Sequence, residues 1–245
     1  HSFDSSYMAL IEEAESSLLE LREDGIAGRQ ITRIGKTAND VLEMHRERLA
    51  SGIDTMRILT GIEEFDYVTG GLYRGELTVG AGRPGDGKTA VAMQIAMNAA
   101  LAGKHVCFFS LEMTALQTMN RLFAGYGGVD ANHLRIDGAN PADLAKMGKM
   151  ADEFQNLPLY FDHTSANSVE NIRAQVMLQK RKKQCDLAVV DYLHLMKMEN
   201  HGKDTLDQMI GRNIQGLKQL ALDADIPILV LSQMNRNSVN RADRA

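Results

Sequence analysis

Four groups of residues in this 245-residue chain have the side-chain types and spacing that phosphate chemistry requires. The first is Gly82-Arg83-Pro84-Gly85-Asp86-Gly87-Lys88-Thr89, which fits the pattern G-x-x-x-x-G-K-[ST]. Its glycines let the backbone curl until successive N–H groups point into one concavity. A helix that starts there turns its positive end toward the same point. Lys88 then reaches the β- and γ-phosphates of a nucleotide such as ATP, and the Thr89 hydroxyl ligates Mg²⁺. All eight residues are candidate nucleotide contacts.

The other three groups stand at the ends of apolar runs. Leu187-Ala188-Val189-Val190-Asp191 places a carboxylate after four apolar residues, about a hundred positions beyond the loop. That is the pattern in which an aspartate holds Mg²⁺ directly or through water. Val106-Cys107-Phe108-Phe109-Ser110 runs into Leu111-Glu112-Met113. Glu112 is the candidate general base, because a carboxylate beside the γ-phosphate can orient and deprotonate water. Ile228–Ser232 is followed by Gln233, whose amide can donate to a γ-phosphate oxygen and report nucleotide state to Asn235 and Arg236.

Something must hold these groups together. Apolar strands are predicted at Leu77–Ala81, His105–Ser110, Leu159–Asp162, Leu187–Asp191 and Ile228–Ser232, with helical patterns between them. This alternation predicts an α/β fold with a mostly parallel sheet covered on both faces. Ligands of such sheets bind beyond the carboxyl ends of the strands, where all four groups fall. Ala90–Ala102 reads as a buried helix closed by Gly103 as its C-cap. Asn167 with Glu170 predicts a capping box for a helix running to about Lys183.

Ahead of the core, Ser5–Glu23 and Thr37–Leu49 read as two helices interrupted at Gly25 and Gly28. The second has a thin apolar face of Val41, Leu42 and Leu49, which suits either an arm that docks on another subunit or a surface helix of the same domain. The organisation expected is therefore residues 1–55 as N-terminal linker helices and 56–245 as the nucleotide-binding domain.

Composition narrows the function classes. A hydrophobic fraction of 44% supports one sizeable core, and no apolar run is long enough for a membrane span or a signal sequence. A soluble cytoplasmic protein is expected. A net charge of −5 argues against coating nucleic acid by bulk charge, although a local basic surface inside a ring remains compatible with it. Lys180-Arg181-Lys182-Lys183 is the one dense basic run, read either as a solvated helix end or as a nucleic-acid contact. Cys107 and Cys185 read as reduced core thiols without metal-ligand spacing.

Taken in order, these motifs resemble the C-terminal motor domain of DnaB-type replicative DNA helicases. Thr60–Leu72 resembles the segment that precedes the family's phosphate loop. Phe108–Met113, Val189–Met196 and Leu231–Arg236 resemble the stretches that carry its catalytic glutamate, metal aspartate and γ-phosphate-sensing glutamine. The resemblance implies a RecA-like P-loop NTPase core, ATP hydrolysis with Mg²⁺, a homo-hexamer on single-stranded DNA, and primase and loader proteins as partners. It also implies a core truncated at its C-terminus and lacking the family's DNA-binding loop and the basic residues that reach a neighbour's nucleotide. Two positions depart from the family: Asp86 stands where a neutral residue is usual, and His194 where glutamine is. A RecA-like recombinase, another ring ATPase and a nucleotide-gated scaffold with little turnover are the alternative readings.

Overall fold

A computed structural model describes residues 32–52, 54–197 and 204–234. The expected first helix, most of the Asn200–Asp204 loop, and Asn235 and Arg236 lie outside the described residues. The chain divides into two units, with the boundary after Thr55.

The described part of the first unit is dominated by α1, Ile34–Ser51, which is longer at both ends than the sequence suggested. None of its residues is buried. Ile34 and Leu49 are almost fully exposed, and Val41 and Leu42 are nearly half exposed.

The second unit opens with a small clip. Strands β1 (Arg57–Ile58) and β2 (Leu72–Tyr73) pair antiparallel around α2, Glu63–Thr69. The Asp66 carboxylate closes it by accepting hydrogen bonds from the Thr60 backbone N–H (2.9 Å), the Thr60 hydroxyl (2.8 Å) and the Gly61 N–H (2.9 Å). Glycine is required at Gly71, because its φ is +100° and a Cβ there would lie 2.7 Å from the Ile58 carbonyl oxygen.

The main sheet comprises β3 (Leu77–Gly82), β4 (Val106–Ser110), β5 (Leu159–Asp162), β6 (Leu187–Asp191) and β7 (Ile228–Gln233). The spatial order is β3-β7-β6-β4-β5, and every pairing is parallel. Central strands buried on both faces need continuous apolar runs. β4 and β6 are accordingly buried at every residue.

Alternate side chains feed two cores. Val106, Phe108, Leu187, Val189, Leu229 and Leu231 pack with α3 (Lys88–Leu101) and Leu122 of α4 (Ala115–Gly127) on one face. Cys107, Phe109, Ala188, Val190, Ile228 and Val230 pack with α6 (Val169–Arg181) and α7 (Leu206–Ala224) on the other. Between β4 and β5 the chain also forms α5, Pro141–Phe154. α3 buries Ala92, Ala96, Ala99 and Ala100 among larger residues, and side chains that small let a helix approach a sheet closely. The C-cap of α3 is Ala102, one position before the predicted Gly103, which follows at φ +77°.

The predicted cap of α6 is corrected. Ser168, not Asn167, is its N-cap, accepting from the Asn171 N–H. Asn167 is buried, its side-chain amide donates to Asp162 and its backbone carbonyl accepts the Lys197 N–H, so tertiary contacts claim it. Both cysteines are buried free thiols, and no cluster of metal-ligating side chains occurs among the described residues.

Candidate nucleotide site

Four consecutive strands of the sheet, β3, β7, β6 and β4, deliver the four predicted groups to one edge. At a strand spacing of about 4.8 Å the row spans roughly 14 Å. Parallel register fixes the alignment: Gly82 lies beside Gln233, and Ser110 beside Asp191. The Met234 N–H donates to the Gly82 carbonyl at 3.0 Å, tying the end of β7 to the root of the loop.

The loop takes the conformation its glycines allow. Gly85 and Gly87 have φ of +87° and +81°, and Gly87 is the N-cap residue of α3. Lys88 donates from Nζ to the Arg83 carbonyl at 2.6 Å, holding its ammonium over the loop. Asp86 folds back along the loop, where its Oδ2 accepts the Arg83 N–H at 2.7 Å. That bond gives the unusual carboxylate a partner within the loop.

The Thr89 hydroxyl lies beside Asp191 and favours its charged form, so the loop reaches across the end of β7 to β6. Asp191 is 2% exposed, and its Oδ2 is buried without a hydrogen-bond partner among the described residues. Burial pushes its carboxyl above the ordinary carboxylate range. The nearby Thr89 hydroxyl opposes that rise, the Glu112 charge adds to it, and the charges of Arg121 and Lys88 oppose it. A buried carboxylate oxygen without a partner beside a threonine hydroxyl is an all-oxygen donor set, and it fits a hard cation such as Mg²⁺.

Glu112 follows β4 between Leu111 and Met113, both buried, while its own side chain is exposed. Its backbone is fixed by three hydrogen bonds nearby. The Leu111 N–H donates to the Asp191 carbonyl (2.8 Å), and the Ser110 hydroxyl (3.2 Å) and His163 Nδ1 (3.1 Å) both donate to the Met113 carbonyl. Burial, with Glu112 and Asp191 adding their charges, raises the Tyr192 phenol above its usual value. His194 is half-buried, its Nδ1 has no hydrogen-bond partner among the described residues, and burial lowers its pKa, which favours the neutral ring.

The structure thus brings Lys88, Thr89 and Glu112 each within electrostatic reach of Asp191 and sets Gln233 beside the loop. It adds Arg121, which sequence reasoning passed over. Arg121 lies on α4, and its charge acts on Asp191. Its only sequence signal is its place on the helix that follows Glu112.

A glycine loop joining a parallel strand to a helix, with an aspartate two strands away, defines a P-loop nucleotide-binding protein. The family model of the DnaB-like helicase C-terminal domain matches residues 57–245, and the chain belongs to that family. It is 32% identical over 240 residues to the replicative DNA helicase DnaB of Geobacillus stearothermophilus, which covers 96% of this chain and 52% of that protein. It is 31% identical to the replicative DNA helicase DnaC of Bacillus subtilis, again over 96% of this chain and 52% of the relative. The chain therefore spans about half the length of these relatives. Among solved structures, an isolated ATPase domain superposes with a TM-score of 0.76 at 26% identity, over 88% of this chain and 76% of that one. A DnaB-like replicative helicase studied for its interactions with primase gives 0.73 at 26%, over 96% and 55%. The core is RecA-like, as the sequence suggested.

Proposed function

We propose that this chain is the ATP-hydrolysing motor of a replicative DNA helicase, acting in the cytoplasm as a homo-hexamer on single-stranded DNA. The carrying observation is the convergence of Thr89, Asp191, Glu112 and Lys88 at the carboxyl edge of the sheet. The loop amides of Gly82–Thr89 and the Lys88 ammonium bind the β- and γ-phosphates. Thr89 and Asp191 would hold Mg²⁺, which when bound neutralises charge on the phosphate oxygens. Glu112 takes a proton from the attacking water, and Gln233 reads the γ-phosphate through its amide. Lys88 and the amides stabilise the charge that develops during transfer.

The exposed apolar residues of α1 suit a helix that docks on the adjacent subunit of a ring. Among the described residues no helix is long and apolar enough to cross a membrane. Primase is a partner by likeness to the primase-binding structure, and a loader by family. Two measurements on the full-length protein test the reading: ATP turnover and unwinding of a forked duplex. Lys88→Ala and Glu112→Gln are each expected to lower turnover by at least ~100-fold. Turnover near that of the unaltered protein removes those roles. Turnover without unwinding favours another RecA-like ATPase, and ATP-dependent ring formation without hydrolysis favours a scaffold.

A further inference from the structure

A second concavity adjoins the nucleotide site. It is an open cleft of about 400 Å³ between Glu112 and the segment that follows α4. Glu112 lines it, and no residue of the phosphate loop does. The other polar groups facing it are Gln117, Asn120, Arg121 and Arg135. Neither guanidinium makes a hydrogen bond or ion pair among the described residues, and the Gln117 carbonyl is already engaged by Thr114. Amide and guanidinium donors therefore converge on a space next to the candidate base. Both arginines are exposed, and Arg121 is the one whose charge acts on Asp191.

In-line transfer gives this position a meaning. The water oxygen attacks the γ-phosphorus from the side of Glu112. The bond to the β–γ bridging oxygen breaks, and its electron pair leaves with ADP. The phosphorus moves toward the attacking side as the bond inverts. ADP stays on the loop, and inorganic phosphate ends against Glu112. That carboxyl has just accepted the water's proton, so its negative charge no longer repels the product. The two arginines line the same cleft as Glu112. Resting on the hydrolytic reading above, we propose that this cleft is a product subsite that binds inorganic phosphate as it leaves, held by Arg121 and Arg135.

The test is binding of radiolabelled orthophosphate to the chain saturated with MgADP, by equilibrium dialysis, for the unaltered protein, Arg135→Lys and Arg135→Ala. Arg135 is exposed, so thermal melts of the variants should overlay the parent. The proposal expects saturable phosphate binding that weakens about tenfold or more in Arg135→Ala and by less in Arg135→Lys, the scale of a lost charge-assisted contact. MgADP affinity should stay within twofold. Equal phosphate affinity in parent and Arg135→Ala, or no saturable binding by the parent, overturns it. Failure of the parent to bind MgADP brings down the hydrolytic reading as well, which separates the two. If Arg135→Ala instead weakens only a single-stranded oligonucleotide that competes with phosphate, the cleft is a nucleic-acid contact and the product subsite is refuted.

Discussion

Asp66 offers the sharpest energetic test of how the segment ahead of the loop is held. Its carboxylate accepts three hydrogen bonds, two of them from Thr60, which is fully buried. The Thr60 carbonyl in turn accepts from Asn98 Nδ2 on α3 at 2.8 Å, so the clip is fastened to the helix that bears Lys88. Bonds to a charged acceptor contribute about 1.5–3 kcal/mol each, and a buried donor left alone costs about 1–3 kcal/mol. Because the three bonds share one acceptor group they do not add fully. Asp66→Ala is therefore expected to destabilise the fold by about 3–5 kcal/mol. Asp66→Asn keeps an acceptor for Thr60 but turns an NH₂ toward the Gly61 N–H, and should lose about 1.5–3 kcal/mol. Urea unfolding followed by far-UV circular dichroism gives both values. A loss below about 1 kcal/mol for Asp66→Ala would falsify the view that these bonds hold the clip.

Three further outcomes follow from other parts of the fold. Gly71→Ala combines an unfavourable φ with a backbone clash and should cost about 2 kcal/mol or more, whereas Gly103→Ala, with open space around it, should cost about 1 kcal/mol. Equal losses would mean that the Ile58 carbonyl is not in the way. Ser168→Ala should lower stability by about 1 kcal/mol through the lost cap of α6, read from the denaturation midpoint. The His133–Asp143 pair at 2.8 Å links the turn at residues 133–137 to the start of α5. Its hydrogen bond with Asp143 raises the His133 pKa, so that stabilisation is complete below about pH 6.5 and fades as pH rises through the higher folded value. The Asp143 carboxyl is lowered; burial opposes the shift, and the hydrogen bond from His133 leads the groups that favour it. Its stabilisation is present above about pH 4 and fades on acidification. An NMR titration should find His133 shifted down in Asp143→Asn, and an unchanged curve would dismiss the pair.

The parts of the site that were legible share one property: each is a strand end announced by a continuous apolar run. Leu187–Asp191 falls where the pattern put it, because a buried parallel strand cannot hide its composition. The parts that were not legible depend on partners distant in sequence. β1 and β2 are two residues each and carry no periodicity of their own. Asn167 has the chemistry of a cap, yet its burial against Asp162 was invisible until β5 and α6 were placed. Arg121 looks like any solvated cation on an amphipathic helix, and only the fold brings its charge to Asp191.

The hydrogen bond from the Leu111 N–H to the Asp191 carbonyl has a mechanical corollary. It welds the backbone carrying one acid to the backbone carrying the other, across two strands that are already laddered together. The backbones that carry Glu112 and Asp191 therefore shift together or not at all. In the proposed hydrolytic cycle, displacement would instead pass through parts outside that weld: the end of β7 with Gln233, or the glycine loop.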